Sequence, residues 1–334
     1  MNSILLSKIP ISFETLVLES TNVCNANCSI CYQSSGFIDN KSFKRKKIPT
    51  DSLKKTIIEA AEVPLIGPRV HLSGGEAFLD ISQCMEVFSV ANETGYLEIS
   101  ATTNAFWAKD FKAAVKTLKL LRGCGLNRLE ISWDAWHKEY ISINCINNCI
   151  EACYFLDIEV ILRTLSTKTD MAFNSINEIR ADLIPLINEI VCCPVLPIGR
   201  AAQGFSSEEI FYSDTLGCSC HHMLNLAVSC YGEVYPCCSG LDQNNNLKFG
   251  NIFKNPISDI VDAMNRSLLL RVLVFLGPGS LIPILKEKNI DIEDNFNTIC
   301  HLCWSLFSND LYYKTIKSYF NKMEADRFLA VLKK

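Results

Sequence analysis

Cysteine placement carries the strongest chemical signal in this chain. Cys24-Asn-Ala-Asn-Cys28-Ser-Ile-Cys31-Tyr32 sets three thiols within eight residues. Three thiolates on one loop can hold three irons of a [4Fe–4S] cube and leave the fourth iron open to a small chelator. Zinc is the plainer alternative, but a structural zinc site closes with four ligands, and no fourth local Cys or His is present. A second group occupies the C-terminal third: Cys218, Cys220, Cys230, Cys237, Cys238, Cys300 and Cys303.

Cysteine makes up 17 of the 334 residues. That lies below the ~8–10% of a short secreted disulfide scaffold. The N-terminal MNSILLSKIPISFETLVLES lacks the basic start, long apolar run and cleavage site of an export signal. Ser267 to Gly277, the most apolar stretch, is interrupted by Arg271 and falls short of the roughly 20 residues that span a bilayer. The sequence therefore predicts a cytoplasmic chain without a membrane partner, in which reduced thiols serve metal or redox chemistry. Lys plus Arg total 32 against 36 Asp plus Glu, a net charge of −4, which disfavours a dedicated nucleic-acid binder. Hydrophobic residues at 49% and charged residues at 20% fit a globular protein of about two domains.

Such thiols need a frame. Six short runs rich in Val, Ile, Leu or Thr read as buried parallel strands: Glu14–Glu19, Arg69–Ser73, Leu97–Thr103, Arg128–Trp133, Glu159–Leu165 and Glu189–Leu196. Helical segments lie between them. Thr50 or Asp51 can cap the first, and Ile81–Thr94, Lys109–Gly123, His137–Phe155 and Met171–Ile187 follow. Six βα repeats imply a parallel sheet, open or closed into a barrel, with functional residues at the carboxyl ends of its strands. The alternation stops in the polar stretch Gln203–Asp214. A hairpin, Leu224–Cys230 and Glu233–Pro236 turning at Tyr231-Gly232, then precedes helices Ile257–Phe275, Leu281–Lys288 and Leu311–Leu332. The expected units are 1–204 and 205–334.

The C-x3-C-x2-C spacing resembles the radical S-adenosylmethionine (SAM) superfamily. That likeness implies an α/β fold, a partial (βα)6 barrel, whose first loop holds a [4Fe–4S] cluster chelated by SAM at its open iron. One-electron reduction from an external flavodoxin- or ferredoxin-like donor would then cleave SAM to methionine and a 5′-deoxyadenosyl radical, which removes a hydrogen atom from substrate. Other segments match the family in order. Ser73-Gly74-Gly75-Glu76 resembles its GGE motif, with the Glu76 carboxylate expected on the SAM ammonium. Asn104, in Thr102-Thr103-Asn104, would meet the ribose or methionine moiety. Ser132 and Asp134 alternate toward one side and would contact ribose hydroxyls. Arg163 is the expected partner of the SAM carboxylate, and Pro197-Ile198-Gly199-Arg200-Ala201 resembles the P-x-G-R-A segment near the adenine. Trp136 and His137 read either as capping and packing groups or as substrate contacts.

The C-x11-G-x4-C stretch from Cys220 through Gly232 to Cys237 resembles the opening of SPASM and twitch domains, which hold auxiliary iron–sulfur clusters. The likeness implies a smaller C-terminal α+β domain of twitch or SPASM-like type. In it Cys220, Cys237, Cys300 and Cys303 would hold one auxiliary [4Fe–4S] cluster, with zinc on the same four thiolates as the alternative. Cys218 against Cys220, and Cys237 against Cys238, stay ambiguous as ligands. Cys145, Cys149 and Cys153 form one helical stripe that reads as core. Cys84 and Cys124 read the same way. Of Cys192 and Cys193, one should face the barrel interior and the other the helices.

The resemblance implies a reaction type rather than a substrate. Peptide maturases are common among enzymes with such extensions, so a ribosomally made peptide is the first expectation, modified by epimerisation or crosslinking. Cys218 and Cys238, left over from the expected ligand set, are candidate hydrogen-atom donors. With the cluster loop beginning at residue 24, leader recognition is expected to be external or on another surface. A small-molecule dehydrogenase or epimerase of natural-product biosynthesis is the alternative enzyme. The pterin cyclase option is disfavoured because the chain ends in Phe328-Leu-Ala-Val-Leu-Lys-Lys334 rather than a glycine-rich tail. A structural zinc protein or an iron–sulfur electron carrier would explain the cysteines, but not the six strand-end motifs.

Overall fold

The computed structural model describes residues 9–37, 45–213, 219–220, 225–238, 246–293 and 295–332. Six parallel strands form its centre: β1 (Phe13–Glu19), β2 (Ile66–Ser73), β3 (Glu98–Thr103), β4 (Arg128–Ser132), β5 (Glu159–Ser166) and β6 (Glu189–Pro194). They pair in chain order, as a run of right-handed βα units dictates. The expected α/β partial barrel is thus present. Helices α1 (Thr50–Ala61), α2 (Ile81–Glu93), α3 (Phe111–Gly123) and α4 (Ile143–Phe155) connect the first five strands.

Side-chain alternation gives the sheet two different faces. Leu16, Leu18, Val70, Leu72, Ile99, Ala101, Leu129, Ile131, Val160 and Leu162 are buried against the helices in one continuous core. The intervening residues are polar and link strand to strand across the other face. His71 lies between Ser100 Oγ at 2.9 Å and Thr102 Oγ1 at 2.8 Å. Thr102 donates to Glu130 at 3.2 Å, and Glu130 receives two bonds from Arg163. One layer nearer the strand starts, Arg69 pairs with Glu14 and Glu98, and Arg128 with Glu98, Glu159 and Glu189. Each such half-exposed pair contributes little alone. Together they fill the amino end of the interior with charge and leave the carboxyl end for chemistry.

Beyond β6 the chain returns to the first strand. Strand β7 (Asn225–Val228) pairs in parallel with β1, while β8 (Glu233–Tyr235) and β9 (Gly250–Asn251) continue antiparallel. This nine-stranded sheet runs β9-β8-β7-β1-β2-β3-β4-β5-β6, and Val23–Cys24 and Gly36–Phe37 form a separate two-stranded pair.

Several expected helices differ in extent. The Met171–Ile187 segment contains only α5 (Ala172–Ile176) and a single turn at Ile184–Leu186, which includes Pro185. The expected Ile257–Phe275 helix breaks into α7 (Ile257–Arg266) and α8 (Leu268–Leu276), because Ser267 is extended and its Oγ caps Leu270. Short α6 (Ala201–Gly204) follows β6, and α9 (Ile282–Lys286), α10 (Ile299–Ser308) and α11 (Asp310–Leu332) complete the chain. Neither Thr50 nor Asp51 caps α1; Pro49 precedes it with no side-chain cap. Cys145, Cys149 and Cys153 are buried on α4, as their spacing predicts. No helix among the described residues is long and apolar enough to cross a membrane.

Candidate functional site

The loop leaving β1 carries Cys24, Cys28 and Cys31. It folds tightly, with Cys31 N–H donating to Cys28 O at 3.2 Å and Ser34 N–H to Cys31 O at 3.2 Å. Backbone amides point at the sulfurs: Ala26 N–H lies 3.4 Å from Cys24 Sγ, and Ser35 N–H 3.4 Å from Cys31 Sγ. Burial pushes the Cys24 thiol up to about 12, and the charges of Glu76, Cys31 and Cys28 act in the same direction. Three thiols gathered on one tight loop with inward amides suit a polynuclear cation, which would remove the protons and accept the charge. Among the described residues no three His, Cys, Asp or Glu side chains converge as ligands of one metal ion do.

The glycines of Gly74-Gly75-Glu76 let the end of β2 lie against this loop. Gly75 N–H donates to Thr21 O at 2.6 Å and Glu76 N–H to Val23 O at 2.9 Å. A Cβ at Gly75 would stand 2.3 Å from Val23 O, closer than any side chain tolerates. Glu76 is buried and accepts from Phe78 N–H, Thr103 Oγ1 and Asn104 N–H at 3.1, 2.9 and 2.8 Å. Burial raises its carboxyl to about 7 against these bonds. Asn104 Nδ2 reaches Asn25 Oδ1 at 2.9 Å and Cys24 Sγ at 3.9 Å. Gly74, Gly75, Glu76 and Asn104 therefore surround the cysteine loop.

Asp134 caps the turn after β4. Its Oδ1 accepts from the Trp136 and His137 amides at 3.1 Å and faces His137 Nδ1 at 2.8 Å. Its Oδ2 is buried with no hydrogen-bond partner, an acceptor suited to a hydroxyl that the protein does not provide. Ser132, half-buried, sits beside it in register with Arg163. Trp136 packs with Cys24 and Cys28, and Tyr140 donates to Asn27 O at 3.3 Å. Burial would lower the His137 imidazole, but Asp134 and the Cys28 thiol hold it well above its ordinary value.

The P-x-G-R-A segment grips the same loop from β6. Arg200 N–H donates to Cys31 O at 3.0 Å, and its guanidinium to Cys28 O at 2.8 Å and to Ser35 O. Gly199 adopts φ +60°, and a Cβ there would fall 2.1 Å from Tyr32 O. Arg163 instead points along the interior, bidentate on Glu130 at 2.7 and 2.8 Å, with its third nitrogen 3.7 Å from Cys193 Sγ. Cys193 thus faces the interior. Cys192 is exposed rather than covered, since the shortened helix before β6 leaves this edge strand bare.

The second cysteine group divides at Cys237-Cys238. Burial raises the Cys237 thiol, as do nearby Cys303, Cys238, Cys220 and Cys300. Cys303 is raised by burial and by Cys220 and Cys300. Cys220, Cys237, Cys300 and Cys303 thus lie within electrostatic reach of one another, short of the convergence that ligands of one metal ion show. The last two sit three apart in the first turn of α10, whose Thr298 caps His301 N–H. Cys238 belongs elsewhere: it packs on Val17, Ala227 and Tyr235, its Sγ lies 3.7 Å from Asn225 Nδ2, and its surroundings include Glu19, Arg163 and Glu130. Cys218 lies outside the described residues.

Sequence reasoning missed His71, Glu130, Glu19 and Tyr32. Tyr32 donates to Glu19 Oε1 at 3.1 Å, and burial raises the Glu19 carboxyl to about 8. The available signal was period-two placement: Glu130 shares the phase of Ser132, and His71 that of Ser73.

Comparison with known proteins agrees with this geometry. The radical SAM superfamily model matches residues 18–166, and the SPASM model, an iron–sulfur cluster-binding domain, matches residues 218–304. Over 327 residues the chain is 25% identical to "Putative peptide biosynthesis protein YydG" of Bacillus subtilis (strain 168), covering 92% of this chain and 98% of that protein. Among solved structures, anSMEcpe with bound AdoMet has a TM-score of 0.54 at 12% identity, over 96% of this chain and 95% of that one. BtrN in complex with AdoMet and 2-DOIA has a TM-score of 0.50 at 15% identity, over 81% and 91%. Both likenesses concern the fold. Radical SAM domains bind a [4Fe–4S] cluster and SAM, and SPASM domains bind auxiliary iron–sulfur clusters. With its cysteine loop, glycine turn and second cysteine group assembled on that fold, this chain belongs to the radical SAM superfamily and carries a C-terminal SPASM iron–sulfur domain.

Proposed function

We propose that this enzyme modifies a ribosomally synthesised peptide by abstracting a hydrogen atom from it. The observation carrying the reading is the likeness to the YydG protein over nearly the whole of both chains, barrel and C-terminal region together. In this reading Cys24, Cys28 and Cys31 ligate the SAM-binding cluster, and Gly74, Gly75, Glu76, Asn104, Ser132 and Asp134 enclose SAM. The unpartnered Asp134 Oδ2 takes a ribose hydroxyl. Cys220, Cys237, Cys300 and Cys303 ligate one auxiliary cluster. The units divide at 204/205, a division supported by the two matched spans falling on either side. Bound together, cluster and SAM supply a 5′-deoxyadenosyl radical when an external flavodoxin- or ferredoxin-type protein donates one electron. Everything else falls to the chain's own residues: the polar interior orients substrate, and the buried carboxyl end excludes water.

The position of Cys238 favours epimerisation over crosslinking. Cys238 packs on Val17, which stands in register with His71 on the face turned to the barrel interior. A substrate carbon radical there would take its hydrogen: the S–H bond breaks homolytically, a C–H bond forms, and a thiyl radical remains. One electron from the external donor and one solvent proton restore the thiol. The test is anaerobic turnover in D2O with the peptide encoded beside the gene. One solvent deuteron at Cα, lost in Cys238→Ala while 5′-deoxyadenosine still forms, is the expected result. Loss of two hydrogens in mass would replace epimerisation by crosslinking or oxidation, and no change in the peptide would overturn the peptide reading.

A further inference from the structure

A groove of about 390 Å³ opens in the C-terminal region, between the strand-leading segment 246–249, the α7–α8 junction and α11. Its volume lies within the range of ligand-binding clefts. It is lined by Phe249, Leu269, Tyr313 and Phe320 as apolar surface, and by Lys248, Arg266 and Lys317 as cations. Glu324 is the carboxylate in that lining. The cations differ in how far they are engaged. Lys248 is held by Glu233 at 2.8 Å, whereas Lys317 stands 5.4 Å over the Tyr313 ring and neither it nor Arg266 pairs with a carboxylate among the described residues. Glu324 Oε1 accepts from Leu268 N–H at 3.4 Å, so this chain already seats one carboxylate on the first turn of α8.

We infer that this groove binds an acidic, partly apolar peptide segment, the cations meeting its carboxylates and the aromatic floor its apolar side chains. Charge complementarity sets that chemistry, since a basic partner would meet Arg266 and Lys317 as like charges. The groove residues belong to neither cysteine group. The inference rests on the reading of the substrate as a peptide and names where a part of that peptide remote from the reacting carbon is held.

The test uses the full chain with its clusters reconstituted. A short fluorescein-labelled peptide alternating Glu and Leu is titrated by anisotropy, with a Lys/Leu peptide as counterpart. The acidic peptide should bind, weaken with added salt, and lose roughly tenfold or more in affinity in Arg266→Glu/Lys317→Glu. The milder Arg266→Gln/Lys317→Gln pair should lose affinity in the same direction. Lys55→Glu/Lys314→Glu, an equal charge change outside the groove, should bind as the wild type does. Equal affinity for the two peptides, or equal loss in both charge-reversed proteins, overturns the inference. Binding requires no SAM cleavage, so the two readings fail separately. An acidic peptide that binds while no peptide is ever modified sinks the proposed reaction alone. Peptide modification with unchanged affinity in the groove variants sinks this inference alone.

Discussion

Replacing Glu19 by Gln should make the protein more stable, and more so at alkaline than at acidic pH. Glu19 ends β1, is 3% exposed, and accepts from Tyr32 OH at 3.1 Å. Burial raises its carboxyl from 4.5 to about 8, against the bonds from Gln33 and Tyr32. A folded-state value above the unfolded one means that the native protein binds the extra proton. Stability from this group is therefore intact below about 4.5, falls as pH rises, and levels off above about 8. At about 1.4 kcal/mol per pH unit, the carboxylate costs about 2 kcal/mol near pH 6 and about 5 kcal/mol near pH 9. Glutamine keeps the acceptor oxygen for Tyr32 and has no charge to bury. The gain over wild type should thus grow by roughly 2–3 kcal/mol across that interval, or about 3–4 °C in melting temperature. Anaerobic thermal denaturation of the cluster-loaded proteins at several pH values measures it. A melting-temperature difference that stays flat between pH 6 and 9 would refute the argument that Glu19 is a buried, proton-holding carboxyl.

Changing Cys24, Cys28 and Cys31 together to Ala should remove about half the iron and all 5′-deoxyadenosine formation, with roughly four irons per chain remaining; iron analysis and product chromatography check this. Cys237→Ala should lower iron content, whereas Cys238→Ala should leave it at the wild-type level, because the two side chains face different groups. Gly199→Ala forces a Cβ against Tyr32 O at a positive φ, so the cysteine loop should shift and retain less cluster after desalting, read from the absorbance near 400 nm. Wild-type retention in that variant would show the loop to be tolerant of the added carbon.

Much of the fold was readable because both sheet faces obey simple patterns. β2, β3 and β4 carry apolar residues at every second position beneath the helices, and Gly, Asn and Asp close their carboxyl ends. The first cysteine loop was equally legible, since its spacing is local. What escaped depended on contacts between distant segments. The pairing of Arg163 with Glu130 on the neighbouring strand, which takes two of its donors, is revealed only by strand register. The hold of the Arg200 guanidinium on the carbonyls of Cys28 and Ser35 is likewise a contact between distant segments. The break at Ser267 was hidden by apolar residues continuing on both sides, and the helix carrying Cys300 and Cys303 was masked by their reading as ligands alone. Cys237 against Cys238 is ambiguous from sequence because both lie beyond the end of β8, where strand alternation does not fix their directions.

The return of β7 to β1 has a consequence for how the chain is made. Strand β1 is flanked by β2 on one edge and β7 on the other, with Leu16 opposite both Val70 and Leu226. During synthesis the barrel strands can assemble in order as they leave the ribosome, but one edge of the first strand stays unpaired until residues 225–228 emerge. Such an edge is a template for pairing with other chains, and closing it requires a contact of very long sequence separation, a slow step. The loop of Cys24, Cys28 and Cys31 follows directly from that strand. Truncation before β7 should therefore yield insoluble protein rather than a free-standing barrel.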